Sequence, residues 1–379
     1  MKLAAALSLL LVLARSASAA APEIAVDPRL ELLGVVQRLA GQERFPTDDA
    51  AYAKLVDEHF AAFRSHPVVR LYGDLSKGPG DPLGVILLYY TNPPELALKD
   101  PASTVPFADT EDGGEKVLSF VWQLRDFAAK SGFADFYKAN GARYAAAERD
   151  ARAQLGALDP DAAIAKYTGI DVQARRHYAL SLLYSPRHND SFIIPYPDVG
   201  LLGPHDGPFD VWTMFQYFSG QESRDRSDFS PFRVPSPQLW QESVYVIVEP
   251  SVYYFEHLRS FDAGAYYGTG AAECRSRDVN CVKSAVVAAL LDRMGAGGPR
   301  QPESPDYGTA LRARLQEYEA NRARYPTLWD FLPRLLSVYS ETASGKPGPN
   351  PLEGLKLPSP RKSSDFFSPA MLALLPERK

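Results

Sequence analysis

The chain has 379 residues and a formal net charge of −5, too mild a charge to favour nucleic acid as its main partner. Its 45% of hydrophobic residues excludes a disordered chain and is enough to build a large core. The length exceeds that of one average domain, and no internal repeat is visible in the sequence.

The first residues have the three parts of a secretory signal peptide. Lys2 supplies the positive charge, residues 3–14 form an apolar run, and residues 17–19 (ASA) resemble a cleavage site. The run is shorter than the roughly 20 apolar residues that span a bilayer, and no later segment is long and apolar enough. We therefore predict residues 1–19 as a signal peptide and expect an exported protein, periplasmic or extracellular, without a transmembrane segment.

Helical patterns fill the first half of the mature chain, and strand patterns follow towards its middle. Asp27 and Pro28 are suited to begin a helix over residues 26–41, because aspartate caps helices and proline is tolerated in the first turn. Apolar residues at helical spacing predict further helices at 49–62, 115–131, 134–155 and 159–166. Short apolar or alternating runs predict strands at 84–91, 177–185, 191–195 and 209–215.

The second half returns to helical patterns, at residues 236–258, 282–293, 307–324 and 328–340. The first of these is apolar nearly all round, so we expect a buried central helix that breaks near Pro250. We therefore predict a single α+β domain over residues 26–342, with a mixed sheet packed on helices.

The composition changes after this domain. Gly, Pro, Ser and Lys dominate much of residues 343–379, which we predict to be an exposed C-terminal tail. Within it, Phe366, Phe367 and residues 371–375 form a short apolar segment that could dock on the body.

Six residues separate the two cysteines, Cys274 and Cys281. In an exported protein such a close pair is more often a disulfide than a metal site. A zinc site built on them would need two further ligands nearby, and the sequence offers none. We predict a disulfide between them.

Residues 236–258 carry the pattern that comes nearest to a catalytic motif. If the stretch is helical, Gln241, Glu242 and Tyr245 have the spacing of an H-E-x-x-H zinc-peptidase helix. In that motif two histidines bind one zinc ion, and the glutamate takes a proton from the zinc-bound water. Here the glutamate is present but both histidines are replaced. The pattern indicates a metallopeptidase-like scaffold that has lost its metal, with Glu242 as the best candidate for a catalytic residue.

Other interpretations of this stretch remain open. Q-E-x-x-Y is short enough to occur by chance, and residues 244–248 (VYVIV) have the composition of a strand. An active zinc-dependent hydrolase could use Glu242 with other groups, or with a metal held by histidines such as His205 and His257. A structural or envelope-associated protein would have no pocket beside Glu242.

Four stretches carry a resemblance to a known family: residues 26–41 (VDPRLELLGVVQRLAG), 124–144 (LRDFAAKSGFADFYKANGARY), 177–185 (HYALSLLYS) and 318–333 (YEANRARYPTLWDFLP). In these stretches, which extend over most of the mature chain, the sequence resembles the bacterial proteins grouped as domain of unknown function 4932. The resemblance implies a gluzincin-type zinc-peptidase fold, in which an H-E-F-x-H helix leads into an Asn-Pro pair.

With the proline of that pair aligned on Pro250, the resemblance places the two histidines on Gln241 and Tyr245. The glutamate falls on Glu242, and Glu249 takes the place of the asparagine.

The third zinc ligand of the family is a glutamate on the following helix. Here the nearest positions are Lys283 and Ser284, and we take Ser284 as the vestigial ligand position. The sequence departs from the family at every metal ligand, so we expect no bound metal, and zinc only in the alternative interpretation. The prediction is an exported, non-catalytic protein with a binding or regulatory role, whose residual cleft could bind a peptide or protein.

Overall fold

The computed structural model describes residues 21–43, 46–76, 83–99, 113–155, 159–185, 191–194, 209–217, 237–257, 281–296, 305–346 and 359–372. The helices in these ranges are α1 Pro28–Leu39, α2 Ala50–Phe60, α3 Pro67–Leu75, α4 Leu83–Leu88, α5 Gly113–Lys130, α6 Phe133–Ala139, α7 Gly141–Leu155, α8 Pro160–Thr168, α9 Pro237–Glu256, α10 Cys281–Met294, α11 Pro305–Ala320, α12 Leu328–Ser344 and α13 Pro369–Leu372. The strands are β1 Glu23–Val26, β2 Ala174–Ser181, β3 Ser191–Ile194 and β4 Phe209–Gln216.

The four strands form one mixed sheet in the order β1-β2-β4-β3. β1, β2 and β4 are parallel, and β3 runs antiparallel to β4. The prediction of an α+β fold with a mixed sheet and helices is confirmed, and most of the described elements are helices. Three of the predicted strands are present, at β2, β3 and β4, while β1 was not predicted because its four residues are too few to show an alternating pattern.

The strand predicted at residues 84–91 is wrong, because Leu83–Leu88 forms the helix α4. All six residues of α4 are buried, so the helix is apolar on every side. A short apolar run of this kind has no periodicity that distinguishes a buried strand from a buried helix. The helix predicted at 134–155 is also two helices, since α6 ends at Ala139 and Asn140 caps it.

Two hydrophobic cores include residues of the sheet. The first core joins α1–α7 to one part of β2 and to Met214 of β4. The second core joins α8–α12 to Val211 of β4, and it also buries Phe366 and Met371 of the C-terminal region. Phe366 and Met371 of the predicted tail therefore pack on the body, whereas residues 373–375 lie outside the described residues. The helix α12 continues to Ser344, beyond the predicted domain end.

Side chains of α6 and α7 cover the outer edge of β1. Arg152 donates to the Ile24 carbonyl at 2.5 Å, and Glu148 accepts from the Val26 amide at 3.0 Å. Tyr137 donates to the Val26 carbonyl at 2.6 Å. Because these groups satisfy the backbone of the edge strand, β1 does not offer a free edge for pairing with another chain.

α9 is the central helix predicted at residues 236–258, and it packs on α8, α10 and α12. Residues 244–248 are helical, which excludes the strand interpretation. The expected break at Pro250 is absent, because α9 continues to Glu256. Pro250 has no backbone N–H to donate to the preceding turn of the helix. It is buried, as are Val248 and Val252 of the second core, and this packing keeps the helix continuous. Ser251 also bonds within this turn, through its hydroxyl, to the Ile247 carbonyl at 2.6 Å.

Candidate functional site

Two residues predicted from the sequence to be former ligand positions, Tyr245 and Ser284, meet across the α9–α10 interface. The Tyr245 hydroxyl lies 2.9 Å from the Ser284 hydroxyl, although the residues are 39 positions apart in the chain. Tyr245 is half-buried and Ser284 is exposed. The two helices pack through apolar residues such as Val244 and Val287, and this hydroxyl pair lies at the solvent-facing margin of that packing.

An ion pair lies beside the hydroxyl pair. Lys283 Nζ is 3.1 Å from a carboxylate oxygen of Glu249, one helical turn after Tyr245. The Lys283 side chain is only 13% exposed, whereas that of Glu249 is 49% exposed. Glu249 of α9 and Lys283 of α10 therefore form an ion pair between the two helices.

Gln241 lies one turn before Tyr245 on the same face of α9 and is half-buried. Gln241, Tyr245 and Glu249 thus form a polar stripe along one face of α9, and Lys283 and Ser284 oppose it from α10. We call these five residues the α9–α10 polar seam.

Several predicted residues cannot be placed in this seam. Glu242 belongs to α9, but its side chain lies outside the described residues, as does that of Cys281 at the start of α10. Cys274 and His205 also lie outside them, so the predicted disulfide stays a prediction. His257 follows α9, where its ring stacks on Tyr253 at 4.1 Å and its Nδ1 lies 2.8 Å from the Tyr253 carbonyl oxygen.

The donor set of the seam does not fit zinc. A serine hydroxyl and an amide oxygen are poor partners for this ion, and tyrosine binds it only as a phenolate, against an ordinary pKa of about 10. Lys283 adds a fixed positive charge next to Ser284, which repels a divalent cation. Across the described ranges, no group of three or more His, Cys, Asp and Glu side chains is placed to hold a metal ion.

A second polar cluster, on one face of the sheet, was not predicted. His177 of β2 has its Nδ1 2.9 Å from Glu23 and its Nε2 2.7 Å from Asp210, so carboxylates occupy both ring nitrogens. Its ring stacks on Trp212 at 4.3 Å. No nitrogen of His177 is free for a substrate, so the cluster joins β1, β2 and β4 and does not resemble a catalytic base. Only the strand register, which sets Glu23 opposite His177 and His177 opposite Trp212, reveals it.

Lys99 borders this cluster, with its Nζ 5.2 Å from the centre of the Trp212 ring. Burial, followed by the nearby charge of Arg29, lowers the pKa of Lys99 to about 8. The amine has carboxylates in its surroundings that partly oppose this effect, including Asp27 and Asp210. The Lys99 amine therefore lies among charged side chains that already form ion pairs with one another.

A third polar cluster lies inside the first core, around the fully buried Glu31 of α1. Its carboxyl oxygens are 2.6 Å from the Tyr52 hydroxyl, 2.6 Å from the Ser181 hydroxyl and 2.9 Å from the Leu182 amide. The Tyr52 hydroxyl also lies 2.6 Å from that of Tyr144. Because solvent does not reach Glu31, this network fixes α1, α2, α7 and the end of β2 and cannot act on a substrate.

Comparisons of the chain with protein-family models, curated proteins and solved structures found no match. Within the described ranges, no helix is long and apolar enough to cross a membrane.

Proposed function

We propose that the chain is an exported, metallopeptidase-like protein without a zinc site, and that it binds a peptide or protein segment along the α9–α10 polar seam without cleaving it. The observation that carries this proposal is the 2.9 Å contact between the Tyr245 and Ser284 hydroxyls.

The contact supports the proposal because of where zinc ligands must lie. Ligands on two helices converge on one ion through bonds of about 2.0–2.3 Å, so their positions have to face each other. The resemblance to the gluzincin-type family assigns Tyr245 to the second histidine and Ser284 to the third ligand. Two positions chosen by an alignment with no knowledge of the fold are in hydrogen-bond contact, as former ligands of a shared ion would be.

The absence of catalysis in this proposal follows from the chemistry of the seam. A zinc peptidase uses the ion both to polarise the scissile carbonyl and to generate hydroxide from water. The hydroxyls of Tyr245 and Ser284 can perform neither of these tasks. The ammonium of Lys283 does not replace the ion either, because it is bound to Glu249. Glu242 would then have no activated water from which to take a proton.

Binding can survive this loss, because the seam keeps groups that recognise a peptide backbone. Hydroxyl groups both donate and accept, and the Gln241 amide does the same, so an extended segment could bond to them along its main chain. The charges of Glu249 and Lys283 cancel, which suits a neutral or mixed segment and does not select a strongly charged one.

The scaffold can be tested by rebuilding the zinc site in the triple variant Gln241→His, Tyr245→His and Ser284→Glu. We expect one zinc per chain, bound at least tenfold more tightly than in a matched control, a difference of about 1.4 kcal/mol. The control carries the same two histidines but has the glutamate at Ala288, about 6 Å further along α10. Equal zinc affinity in the two variants would mean that Ser284 does not face the former ion, and the proposed scaffold would be wrong.

The loss of activity is tested on the wild-type protein by elemental analysis and a broad peptide-cleavage screen. We expect no stoichiometric zinc and no cleavage, with retained binding of peptides that weakens when Tyr245→Phe and Ser284→Ala are combined. Chelator-sensitive cleavage that Glu242→Gln abolishes would instead establish the alternative, an active hydrolase with non-standard ligands such as His205 or His257.

A further inference from the structure

Residues 359–372, which we call the C-terminal segment, bind to the body through a short stretch of backbone pairing. The Asp171 amide donates to the Arg361 carbonyl at 2.7 Å, and the Ser363 amide donates to the Asp171 carbonyl at 2.8 Å. These two bonds form a parallel bridge of the kind that adds a strand to an exposed backbone. The Ser363 hydroxyl extends the pairing by accepting from the Gln173 amide at 2.9 Å.

An aromatic side chain anchors the segment three residues later. Phe366 is fully buried, with its ring centre 6.2 Å from that of Tyr254 on α9 and 5.8 Å from that of Trp329 on α12. The segment also bonds through the Ser364 hydroxyl, which donates to the Gln173 side chain at 2.8 Å. Backbone pairing followed by an aromatic residue in a pocket is a common way for proteins to recognise peptides.

The contacts that hold the segment are few for its length. Among the hydrophobic side chains described there, the core gains Phe366 and Met371, while every ordered residue of the segment gives up conformational freedom. The Tyr254 hydroxyl is buried beside Phe366 and makes no hydrogen bond, so the fit leaves one polar group unsatisfied. A segment with so small a net gain opens without unfolding the rest of the protein.

The sequence that joins the segment to α12 suits a tether. Residues 347–358 include four prolines and two glycines. A stretch of twelve residues spans at most roughly 40 Å when fully extended, so a released segment stays close to its site. Short tethers of this kind hold a ligand at an effective concentration on the order of millimolar.

We propose that Asp171, Gln173, Tyr254 and Trp329 form a peptide-recognition site, which the chain fills with its own residues 359–372 and which accepts the same segment from outside. The ligand class is a short peptide that pairs through its backbone at one position and then forms a helical turn, with a serine and, three residues later, an aromatic residue. Tyr254 is nine residues from Tyr245, two and a half helical turns, so the site lies on the opposite side of α9 from the polar seam. The proposal is therefore independent of the function proposed for that seam.

The test uses the full chain and a fluorescent synthetic peptide with the sequence of residues 359–372. Phe366→Ala in the protein should release the internal segment, and the peptide should then bind at least tenfold more tightly than it binds to the wild type. Arg361→Ala, which alters an exposed side chain and keeps the backbone pairing, should behave as the wild type. A peptide that itself carries Phe366→Ala should not bind. Equal binding to the wild type and the Phe366→Ala protein, or no binding to either, overturns the proposal.

Hydrogen exchange of the wild-type protein gives a second measurement that does not depend on the folding of any variant. We expect the amides of Ser363 and its neighbours to be at least tenfold less protected than those of α12. Protection equal to that of α12 would show that the segment opens only with global unfolding. It would then be an integral part of the second core and not an exchangeable ligand.

Discussion

Glu31 offers the most direct test of how the first core is held together. Burial raises the pKa of Glu31 above its ordinary value, and the hydrogen bonds from Ser181 and Tyr52 offset this only in part. Burial therefore favours the neutral form of this carboxyl group in the folded protein. The Ser181 hydroxyl and the Leu182 amide donate to one carboxyl oxygen. The Tyr52 hydroxyl donates to the other oxygen when the carboxyl group is charged; in the neutral form that oxygen can donate to Tyr52 instead, and Tyr52 can then donate to Tyr144.

The neutral acid has the shape and the donor pattern of an amide, and this sets the expected magnitudes. Glu31→Gln should change the free energy of unfolding by less than about 1 kcal/mol, because the amide can make the same hydrogen bonds. Glu31→Leu leaves the Ser181 hydroxyl and the Leu182 amide buried without an acceptor. At about 1–3 kcal/mol for each unsatisfied group, it should cost about 2–6 kcal/mol.

Urea unfolding followed by circular dichroism measures both variants, with Glu58→Gln as a control on an exposed carboxylate. A raised folded-state pKa means that Glu31 contributes its full stability below about pH 4.3 and loses it as the pH rises through the folded-state pKa. The Glu31→Gln protein should lack that decline. If Gln destabilises as much as Leu at pH 7, the fold requires the charged carboxylate and the reasoning is refuted.

Two other changes test the first core. Asp27→Asn breaks a buried ion pair with Arg29 and should cost about 3–5 kcal/mol in urea unfolding at pH 7. Burial raises the pKa of Asp27, but the charge and hydrogen bonds of Arg29 outweigh this and lower it below its ordinary value. The contribution is thus present above about pH 4 and lost as the pH falls through the folded-state pKa, so the two proteins should converge in stability towards pH 2; a constant difference would contradict this. Gly34→Ala would place a methyl carbon 2.4 Å from the Tyr184 backbone nitrogen and should lower stability by about 1–3 kcal/mol in thermal unfolding. Gly73→Ala, a helical position with no atom within 4 Å, is the matched control and should be neutral or stabilising; similar effects at both sites would argue against close packing at Gly34.

The helices were predictable where local signals agree with burial. Asp27 caps α1 by accepting from the backbone amides of Arg29 and Leu30, and Thr327 forms a capping box with Asp330 at the start of α12. Because such caps depend on residues only a few positions apart, they can be recognised from the sequence alone. The run 84–91 carried no cap and no periodicity, and its conformation was decided by contacts with distant parts of the chain.

The polar clusters show the opposite case. Glu23, His177 and Asp210 are far apart in sequence, and none of them lies in a recognisable motif. They meet because the parallel register of β1, β2 and β4 sets them side by side, which requires knowledge of the strand order. The Tyr245–Ser284 contact has no local signal either, because a tyrosine and a serine 39 positions apart have no chemistry that marks them as a pair.

The packing of α9 on α10 does not depend on the charged and polar groups of the seam. The ion pair between Glu249 and Lys283 is partly exposed, and such pairs contribute at most about 1 kcal/mol. The stability of the interface comes instead from fully buried side chains such as Ile247 and Leu290, each of which stabilises by about 1.5–3 kcal/mol. These apolar contacts lie beneath the seam and need no ion. Under the proposed function, substitution of the ligand positions would remove the chemistry of a zinc site while α9 and α10 stay packed, and the seam would remain as a polar strip that a ligand can contact.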